Sequence, residues 1–359
     1  MENSVLEQRR RAVVEGLAER NLDALLVSLS PNLRYLSGFT GSNGALLITP
    51  GESIVFTDSR YEIQAARETS CRVRIAKGPV LMDVIATIAR RRLRSIGYEP
   101  ARMTCEYFES LKGHLPIKAS LVAAGGWIEA LRMVKSAEEL DLIRRSVEIN
   151  SQAFEHAAAR VKPGMREEDL AAELEYRMRK LGAEKPSFDT IVAAGEHSAL
   201  PHAQPGKARL ERGLVVVDMG AMFEGYASDM TRMLHVGAPG AKARRMYRAV
   251  LEAQMAAIDA VRPGARTASI DAAARNVLKR YGMDRAFTHS TGHGLGLEIH
   301  EPPRLGKKDK LRLQAGMAIT IEPGAYLEGF GGIRIEDTVV VTSSGCEILT
   351  PTSKDLRVI

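Results

Sequence analysis

Cysteine and aromatic residues are scarce in this sequence, and each shortage narrows the range of functions. The 359 residues include 3 cysteines, Cys71, Cys105 and Cys346, which lie far apart with no CxxC spacing. This usage fits a reducing compartment. Aromatic residues make up 5% of the chain, so no stacking platform for nucleic acid stands out, although the net charge is +6. Because the basic residues are interleaved with acidic ones, we expect no nucleic-acid partner.

Long apolar runs and a signal sequence are also missing. No segment approaches the roughly 18 apolar residues of a membrane-spanning helix, and residues 1–11 are polar with no apolar signal core. We therefore expect a cytoplasmic protein with no membrane partner. The arginine tracts 9–11 and 90–92 lie in helix patterns and are predicted to be solvated faces. The length suggests about two domains.

The sequence does contain one acidic hairpin, and it occurs twice. In each copy a β-branched strand ends at a carboxylate, a Glu-Gly pair makes the turn, and the returning strand carries a second carboxylate two residues before a threonine. The four acids are Asp218 and Asp229 in the first copy, and Glu322 and Glu336 in the second. The midpoint between the first two acids falls at Phe223 and Glu224. A loop centred there predicts that Asp218 and Asp229 lie opposite each other on one face of the ribbon.

Four carboxylates in matched positions need an explanation, because an unpaired buried carboxylate is costly. A single isolated acid would be interpreted as a turn cap or a salt-bridge partner. A matched set of like charges requires cations between them, and oxygen-rich clusters suit hard divalent metals. Thr231 and Thr338 are then natural donors that orient the carboxylates. The two hairpins thus predict a metal site within a duplicated fold.

Histidines are concentrated between the two hairpins. Residues 289–301 hold His289, His293 and His300, three of the 8 histidines, within a glycine-rich stretch. The stretch has neither the GxGxxG spacing of a dinucleotide loop nor an HExxH motif. A lone histidine is more often a hydrogen-bonded core residue than a metal ligand. Three in so short a segment favour a functional role.

In their order and spacing, five of these residues resemble the dinuclear metal site of the pita-bread metallopeptidases, the family of methionine aminopeptidase, aminopeptidase P and prolidase. The five are Asp218, Asp229, His293, Glu322 and Glu336. Residues 289–301 are similar to the signature of the proline-specific branch, and the resemblance covers the whole chain. It implies two divalent metal ions and a homodimer. With four carboxylates and one imidazole, manganese (Mn2+) is the favoured metal, and cobalt or zinc could substitute.

The resemblance also implies roles for further residues. His202 matches a histidine beside the substrate, opposite the metals, and His300 matches one that hydrogen-bonds the scissile carbonyl region. Glu322 would shuttle the proton. Arg304 lies where some prolidases bind the carboxylate of a dipeptide, and Arg334 precedes the last ligand as in the family's pattern. The candidate catalytic residues are therefore His202, His300 and Glu322. The candidate substrate-binding residues are His202, His300, Arg304 and Arg334.

The sequence divides near a glycine pair at 125–126 into two predicted domains. Residues 1–128 alternate helix and strand patterns, which predicts an α/β domain, and they resemble the N-terminal domain of creatinase and prolidase. Residues 131–359 contain two similar halves, each reading as helix, Pro-Gly turn, helix, strand and acidic hairpin. They predict an α+β catalytic domain with pseudo-twofold symmetry, and the resemblance implies that this is the pita-bread (creatinase/aminopeptidase-like) fold.

Together these residues predict metal-assisted hydrolysis of a peptide bond in a proline-containing peptide. The resemblance implies cleavage of Xaa-Pro bonds by one of two enzymes. We favour an Xaa-Pro aminopeptidase, which acts at the N-terminus of longer peptides. The alternative is a prolidase (Xaa-Pro dipeptidase), to which Arg304 would be suited. A pita-bread binding module without activity is the alternative from a different class, and the intact ligand positions argue against it.

Overall fold

The computed structural model describes residues 3–101 and 103–359, and the chain divides into two compact units, Met1–Arg132 and Met133–Ile359. Each unit buries apolar residues of its own, as a folded domain must. Within the described residues, every helix is too short or too polar to cross a lipid bilayer.

The first unit is built around a six-stranded mixed sheet in the order β4-β3-β2-β1-β5-β6. Its strands are β1 (Ala24–Val27), β2 (Gly44–Ile48), β3 (Ser53–Asp58), β4 (Arg72–Ala76), β5 (Ser95–Tyr98) and β6 (Ser120–Ala123). Its helices are α1 (Asn3–Glu19), α2 (Ser30–Ser37), α3 (Glu62–Glu68), α4 (Val80–Arg91), α5 (Cys105–His114) and α6 (Trp127–Met133). Leu26, Leu47 and Phe56 from the sheet pack with Val84 and Ile88 of α4 in its core. The predicted α/β character is confirmed.

Two residues of the first arginine tract are buried, so the prediction of a solvated face is wrong for them. Arg9 and Arg10 are 7% and 9% exposed. Arg9 Nη1 donates to the carbonyl of Tyr35 (3.0 Å), and Arg10 Nη1 donates to the carbonyl of Leu36 (2.9 Å). Both carbonyls belong to the last turn of α2, where cations bind the unpaired oxygens of a helix C-terminus. The tract at residues 90–92 is exposed, as predicted.

The second unit contains four long helices and fourteen short strands among its described residues. The helices are α7 (Ala137–Ala158), α8 (Glu167–Lys180), α9 (Ala241–Asp259) and α10 (Thr267–Arg280). The strands are β7 (Lys185–Pro186), β8 (Ile191–Ala194), β9 (Gly213–Met219), β10 (Ala221–Phe223), β11 (Tyr226–Ala227), β12 (Met230–Val236), β13 (Gly292–Gly294), β14 (Glu301–Leu305), β15 (Ala318–Ile321), β16 (Gly324–Leu327), β17 (Gly331–Arg334), β18 (Asp337–Val341), β19 (Cys346–Ile348) and β20 (Arg357–Val358).

The two halves of this unit repeat one packing arrangement. In the first half α7 and α8 cover the sheet β20-β12-β9-β8, and in the second α9 and α10 cover the sheet β14-β13-β15-β18-β19. Ser136 and Glu139 form both hydrogen bonds of the predicted capping box at the start of α7. Gly182 and Gly282 follow α8 and α10 with φ of 106° and 73°, which is the left-handed conformation expected after a helix. The predicted duplication of helix pairs is confirmed.

The first acidic hairpin keeps one register along its length, with Glu224 and Gly225 at its tip at φ of 43° and 75°. Positive φ at both positions is typical of a two-residue loop whose twist matches its strands. In this register Asp218 lies opposite Thr231 and not, as predicted, opposite Asp229. That prediction is wrong by two residues because the loop is centred one residue later than the midpoint between the acids. Asp218 and Asp229 still share a face, since strand side chains alternate with a period of two.

The second acidic hairpin sets its two acids directly opposite each other. Ile321 of β15 pairs with Asp337 of β18, and the same register continued by one residue places Glu322 opposite Glu336. The two hairpins therefore present carboxylates on corresponding faces, with an offset in the first and direct opposition in the second.

Candidate metal centre

The five predicted metal-ligating residues come from both halves of the second unit. Asp218 lies in β9, and Asp229 immediately precedes β12. His293 lies in β13, Glu322 follows β15, and Glu336 precedes β18. All five line one cavity of about 810 Å³. Residues more than a hundred positions apart in the sequence thus face a common space.

His293 lies close to carboxylates of both hairpins. Its Nε2 is 3.5 Å from Asp229 Oδ2 and 3.6 Å from Glu322 Oε1. Asp229, His293 and Glu336 each offer one atom that could bind a metal ion, and these three atoms lie within 4.8 Å of one another. Hydrogen bonds of this kind are typically about 3.2 Å or shorter. The spacing therefore suits a cation between the side chains better than direct hydrogen bonds.

Two carboxylates of this cluster each have one oxygen without a hydrogen-bond partner in the described chain. Asp218 Oδ1 and Glu336 Oε1 are buried without a hydrogen-bond partner in the described chain. Burial, followed by the neighbouring carboxylates, raises the pKa of Asp229 and the pKa of Glu336 well above the ordinary range. Burial also raises the pKa of Glu322. Oxygen donors in this condition are stabilised by divalent metal ions, so the residues present fit such ions.

Two threonines connect the hairpins to each other. Thr231 Oγ1 donates to Glu336 Oε2 (2.7 Å), and Thr338 Oγ1 donates to the backbone carbonyl of Asp229 (2.9 Å). Each threonine thus reaches an acid of the other hairpin. Thr231 orients a carboxylate as predicted, whereas Thr338 fixes the backbone of one.

Arg334 is buried and binds four oxygens of its own chain. Its Nη2 donates to Asp218 Oδ2 (2.5 Å), and its Nε donates to Thr231 Oγ1 (3.0 Å). Its Nη1 donates to the hydroxyl of Tyr326 (2.7 Å) and to the carbonyl of Pro201 (3.1 Å). Arg334 therefore restrains Asp218 and the backbone next to His202. Its predicted contact with substrate stays a prediction.

The three histidines of residues 289–301 have different surroundings. Burial, and then the charge of Arg334, lowers the pKa of His289 to about 4, and its Nε2 lies 2.9 Å from the hydroxyl of Tyr326. His289 is therefore a neutral, hydrogen-bonded residue of the cavity wall. The ring of His300 lies 4.4 Å from that of His293, and burial followed by His293 lowers the pKa of His300. The lowered pKa favours the neutral imidazole of His300.

The remaining predicted residues also line the cavity. His202 is exposed on the loop after a short 3-10 helix, Gly195–Ala199, and Arg304 is exposed on β14. Asp189 adds a negative charge to the same lining. Apolar lining is contributed by Phe188, Ile191 and Ile299. The cavity thus combines charged groups with apolar surface, as small-molecule sites do.

Two residues that support this site were missed in the sequence. Tyr326 binds both Arg334 and His289. It lies opposite Gly332 on the neighbouring strand, where a Cβ would overlap both the carbonyl of Ser198 and the tyrosine ring. Lys135 forms an ion pair with Glu301 (3.1 Å) in which the side chains are 1% and 2% exposed. A single lysine before a capping box gives no indication of such a partner.

Carboxylates and an imidazole that converge from two similar halves are suited to hold divalent metal ions, as in metal-dependent hydrolases. Residues 141–343 match the model of metallopeptidase family M24, and residues 9–134 match that of the creatinase/prolidase N-terminal domain. The chain belongs to metallopeptidase family M24. Membership implies divalent metal ions and a peptide substrate.

Relatives match this chain over nearly its whole length, in sequence and in structure. A curated Xaa-Pro dipeptidase of Pyrococcus horikoshii is 37% identical over 98% of this chain and 99% of its own length. An Xaa-Pro dipeptidase structure from Bacillus anthracis has a TM-score of 0.96 at 35% identity, covering 99% of this chain and 100% of that one. An X-Pro aminopeptidase structure from Thermotoga maritima has a TM-score of 0.91 at 35% identity, covering 98% and 100%. The predicted family and two-part fold class are confirmed.

Proposed function

We propose that this chain is a metal-dependent Xaa-Pro dipeptidase (prolidase), with an Xaa-Pro aminopeptidase as the second candidate. The observation that carries the proposal is one cavity lined both by the cluster of Asp229, His293 and Glu336 and by the exposed Arg304. A dipeptide ends in a free carboxylate, which a guanidinium binds through charge-assisted hydrogen bonds.

The relatives change the order of the two candidates. The sequence alone favoured the aminopeptidase, but the curated Pyrococcus horikoshii relative is named an Xaa-Pro dipeptidase. The Thermotoga maritima structure, described as an X-Pro aminopeptidase, supports keeping the second candidate. In both cases the bond cleaved precedes a proline.

The metal ions would be held by a set of four carboxylates and one imidazole. These are Asp218, Asp229, His293, Glu322 and Glu336. Bound divalent cations polarise a scissile carbonyl and lower the pKa of a water molecule, which supplies a nucleophile near neutral pH. We propose manganese because hard oxygen donors dominate the set, with cobalt or zinc able to substitute.

Glu322 is the proposed proton carrier. Its carboxylate lines the cavity, with Oε1 3.6 Å from His293 Nε2, where it can exchange a proton with a water molecule. It would take a proton from the attacking water and deliver it to the prolyl nitrogen as the peptide bond breaks. His300, with its lowered pKa, and His202 would donate hydrogen bonds to the carbonyl oxygen, where negative charge grows in the transition state.

The proposal also includes a cytoplasmic homodimer. Three free cysteines are consistent with a reducing compartment. Light scattering of the purified protein measures the assembly directly, and a mass of one chain at micromolar concentration would reject the dimer.

The substrate is tested by removing metal with a chelator, restoring manganese, and supplying Ala-Pro beside Ala-Pro-Ala. A dipeptidase cleaves the dipeptide and leaves the tripeptide. Cleavage of the tripeptide alone would establish the aminopeptidase instead. Cleavage of neither peptide, with manganese bound, would contradict both candidates and favour a binding module.

Arg304→Ala tests the proposed carboxylate contact. Losing a charge-assisted hydrogen bond costs about 1.5–3 kcal/mol, so KM for Ala-Pro should rise at least about tenfold. KM for Ala-Pro amide, which has no carboxylate, should stay unchanged. Lys308→Ala removes an exposed cation from the same segment without touching the cavity lining and is the matched control. Equal KM changes for the two substrates would argue against the contact.

A further inference from the structure

The position of His202 depends on the loop that carries it, because its side chain is exposed at the cavity. It is exposed, and in the described part of the chain no hydrogen bond reaches its ring. The residue two positions before it, Leu200, is also 58% exposed. A donor that must meet a carbonyl oxygen within hydrogen-bond distance therefore depends on how firmly the loop from Gly195 to Pro205 is anchored.

Both ends of that loop are tied to one carboxylate, that of Glu167. This side chain is fully buried at the first position of α8. Glu167 Oε1 accepts a hydrogen bond from the amide of Ala194 (2.7 Å), and Oε2 accepts one from the amide of Gly206 (3.1 Å). His197 Nδ1 lies 3.0 Å from each oxygen. One residue thus closes the neck of the loop and also holds a histidine within it.

The second half of the unit shows that α8 does not need this carboxylate in order to begin. The equivalent first residue of α10 is Thr267, one hundred positions later. Its amide donates to the carbonyl of Leu311 (3.0 Å), just as the amide of Glu167 donates to that of Ala208 (3.0 Å). The helix start is therefore the same in both halves. Only the half that carries His202 has a carboxylate at this place.

The tip of the loop is fastened independently of its neck. The amide of Gly332 donates to Ser198 Oγ (2.8 Å), and Arg334 Nη1 donates to the carbonyl of Pro201 (3.1 Å). Arg334 also binds Asp218. With the neck fixed by Glu167 and the tip by Arg334, His202 has a defined position relative to the carboxylate cluster.

We propose that Glu167 is a positioning residue for His202, acting by closing the neck of the loop at residues 194–206. The inference rests on the proposed function for the role of His202 in the reaction. The anchoring of the loop by Glu167 is independent of the proposed function. Glu167 is buried outside the cavity lining, so its effect passes through the backbone that presents the imidazole.

Hydrogen exchange of the manganese-loaded protein tests the anchor without any substrate. In Glu167→Ala the amides of Ala194 and Gly206 lose a charged acceptor, so their exchange should accelerate at least about tenfold. Exchange in β9 and β12 should not change. Glu167→Gln keeps an acceptor and should give a smaller effect. Glu168→Gln is the matched control, since that neighbouring carboxylate is half-exposed and binds only Arg166 among the described contacts.

Kinetics test the link to His202. Glu167→Ala should lower kcat for Ala-Pro by about 100-fold, because a misplaced catalytic group costs about that much. In a His202→Ala background the same change should cost nothing further, since the group that it positions is already gone. A merely structural role would lower kcat equally in both backgrounds and would overturn the proposal.

The two kinds of failure can be told apart. Unchanged exchange at the neck in Glu167→Ala, or faster exchange throughout the unit, overturns the anchor whatever the activity. Absence of Ala-Pro cleavage by the wild-type protein defeats the proposed function, and exchange then decides the anchor alone. If the alanine variant does not fold, Glu167→Gln is measured in the same two backgrounds, and a loss of kcat that is equal in both overturns the proposal.

Discussion

Glu336 lies where the metal-free fold disfavours a negative charge. Its side chain is 1% exposed. Oε2 accepts a hydrogen bond from the hydroxyl of Thr231, and Oε1 has no hydrogen-bond partner in the described chain. Burial, and then Asp229, raises its pKa well above that of a free glutamate. The residue is unfavourable for folding by itself and favourable once a cation is bound.

Glu336→Gln should therefore stabilise the protein in chelator and weaken its response to manganese. Removing one of several like charges should raise the free energy of unfolding by about 1 kcal/mol or more, while the amide still accepts from Thr231. Saturating manganese should stabilise the wild type by about 3–4 kcal/mol at 100–1,000 times Kd. Thermal unfolding with and without manganese measures both effects.

Glu328→Gln provides the control, because Glu328 is an exposed glutamate at the tip of the same hairpin. It should unfold like the wild type under both conditions. The assignment of Glu336 fails if its variant gains as much stability from manganese as the wild type does.

At this scale the acids were predictable and their partners were not. A carboxylate at the end of a buried β-branched strand is costly unless it has a partner, so it can be recognised from the sequence. Here such carboxylates occur in matched pairs, which predicts a shared metal site. The ion pair of Arg334 with Asp218 spans 116 residues of sequence. No local pattern reports a contact over that distance. It arises only when the two hairpins meet.

Among the strands, β14 begins with a buried charge that the fold must neutralise. Glu301, the residue after His300, pairs with Lys135 (3.1 Å) and also accepts the amide of Glu298 (3.1 Å). The carboxylate fills the space beside Gly296, where a Cβ would collide with it. This ion pair therefore fixes the turn that presents His300.

Lys135→Met should destabilise the protein by about 3–5 kcal/mol, because it removes the buried cation that pairs with the buried carboxylate of Glu301. The double variant Lys135→Met, Glu301→Gln should recover most of that loss, since both charges are then gone and the amide of Glu298 keeps an acceptor. Denaturant unfolding of the manganese-loaded protein measures both changes.

The exposed pair of Arg144 with Glu347 is the matched comparison, with side chains 40% and 47% exposed. Arg144→Met should change stability by less than about 1 kcal/mol. Equal losses from Lys135→Met and Arg144→Met would show that burial does not govern the cost.

Element boundaries and hairpin turns could be predicted well, and the register of the first hairpin could not. Capping box, Pro-Gly turns and C-terminal glycines are local signals that act within a few residues. Register depends on which residues take positive φ, and Glu224 takes it beside Gly225. The predicted register took the midpoint between Asp218 and Asp229 as the loop centre, which lies one residue before the centre of the Glu-Gly turn.

For the molecule as a whole, the buried carboxylates determine how stability of the metal-free protein varies with pH. Asp229 and Glu336 have ordinary pKa values of 3.8 and 4.5, and both are raised in the folded state. Between the ordinary and the raised values the folded chain binds more protons than the unfolded chain. Their contribution to stability is therefore fully present below the ordinary pKa and is lost as pH rises through the raised one.

His289 acts in the opposite direction. Its pKa falls from 6.5 to about 4 on folding, so its contribution is present above pH 6.5 and is lost as pH falls towards 4. Comparing wild type with Glu336→Gln in chelator cancels this effect. The stability advantage of the variant should grow from pH 5 to pH 8, as measured by denaturant unfolding. An advantage that is constant across this range would contradict the raised pKa of Glu336.

The crossed threonines have a consequence for how such a site can arise. Thr231 serves Glu336, Thr338 serves Asp229, and each hairpin alone supplies two of the four acids. A chain that contained only one half of the second unit could bring four acids together only by pairing with a second copy. The rate and extent of that pairing would depend on the concentration of the chain. Covalent linkage replaces that concentration with a fixed effective one. It also allows the two halves to diverge. The first half has Glu167 at the start of α8, where the second has Thr267 at the start of α10.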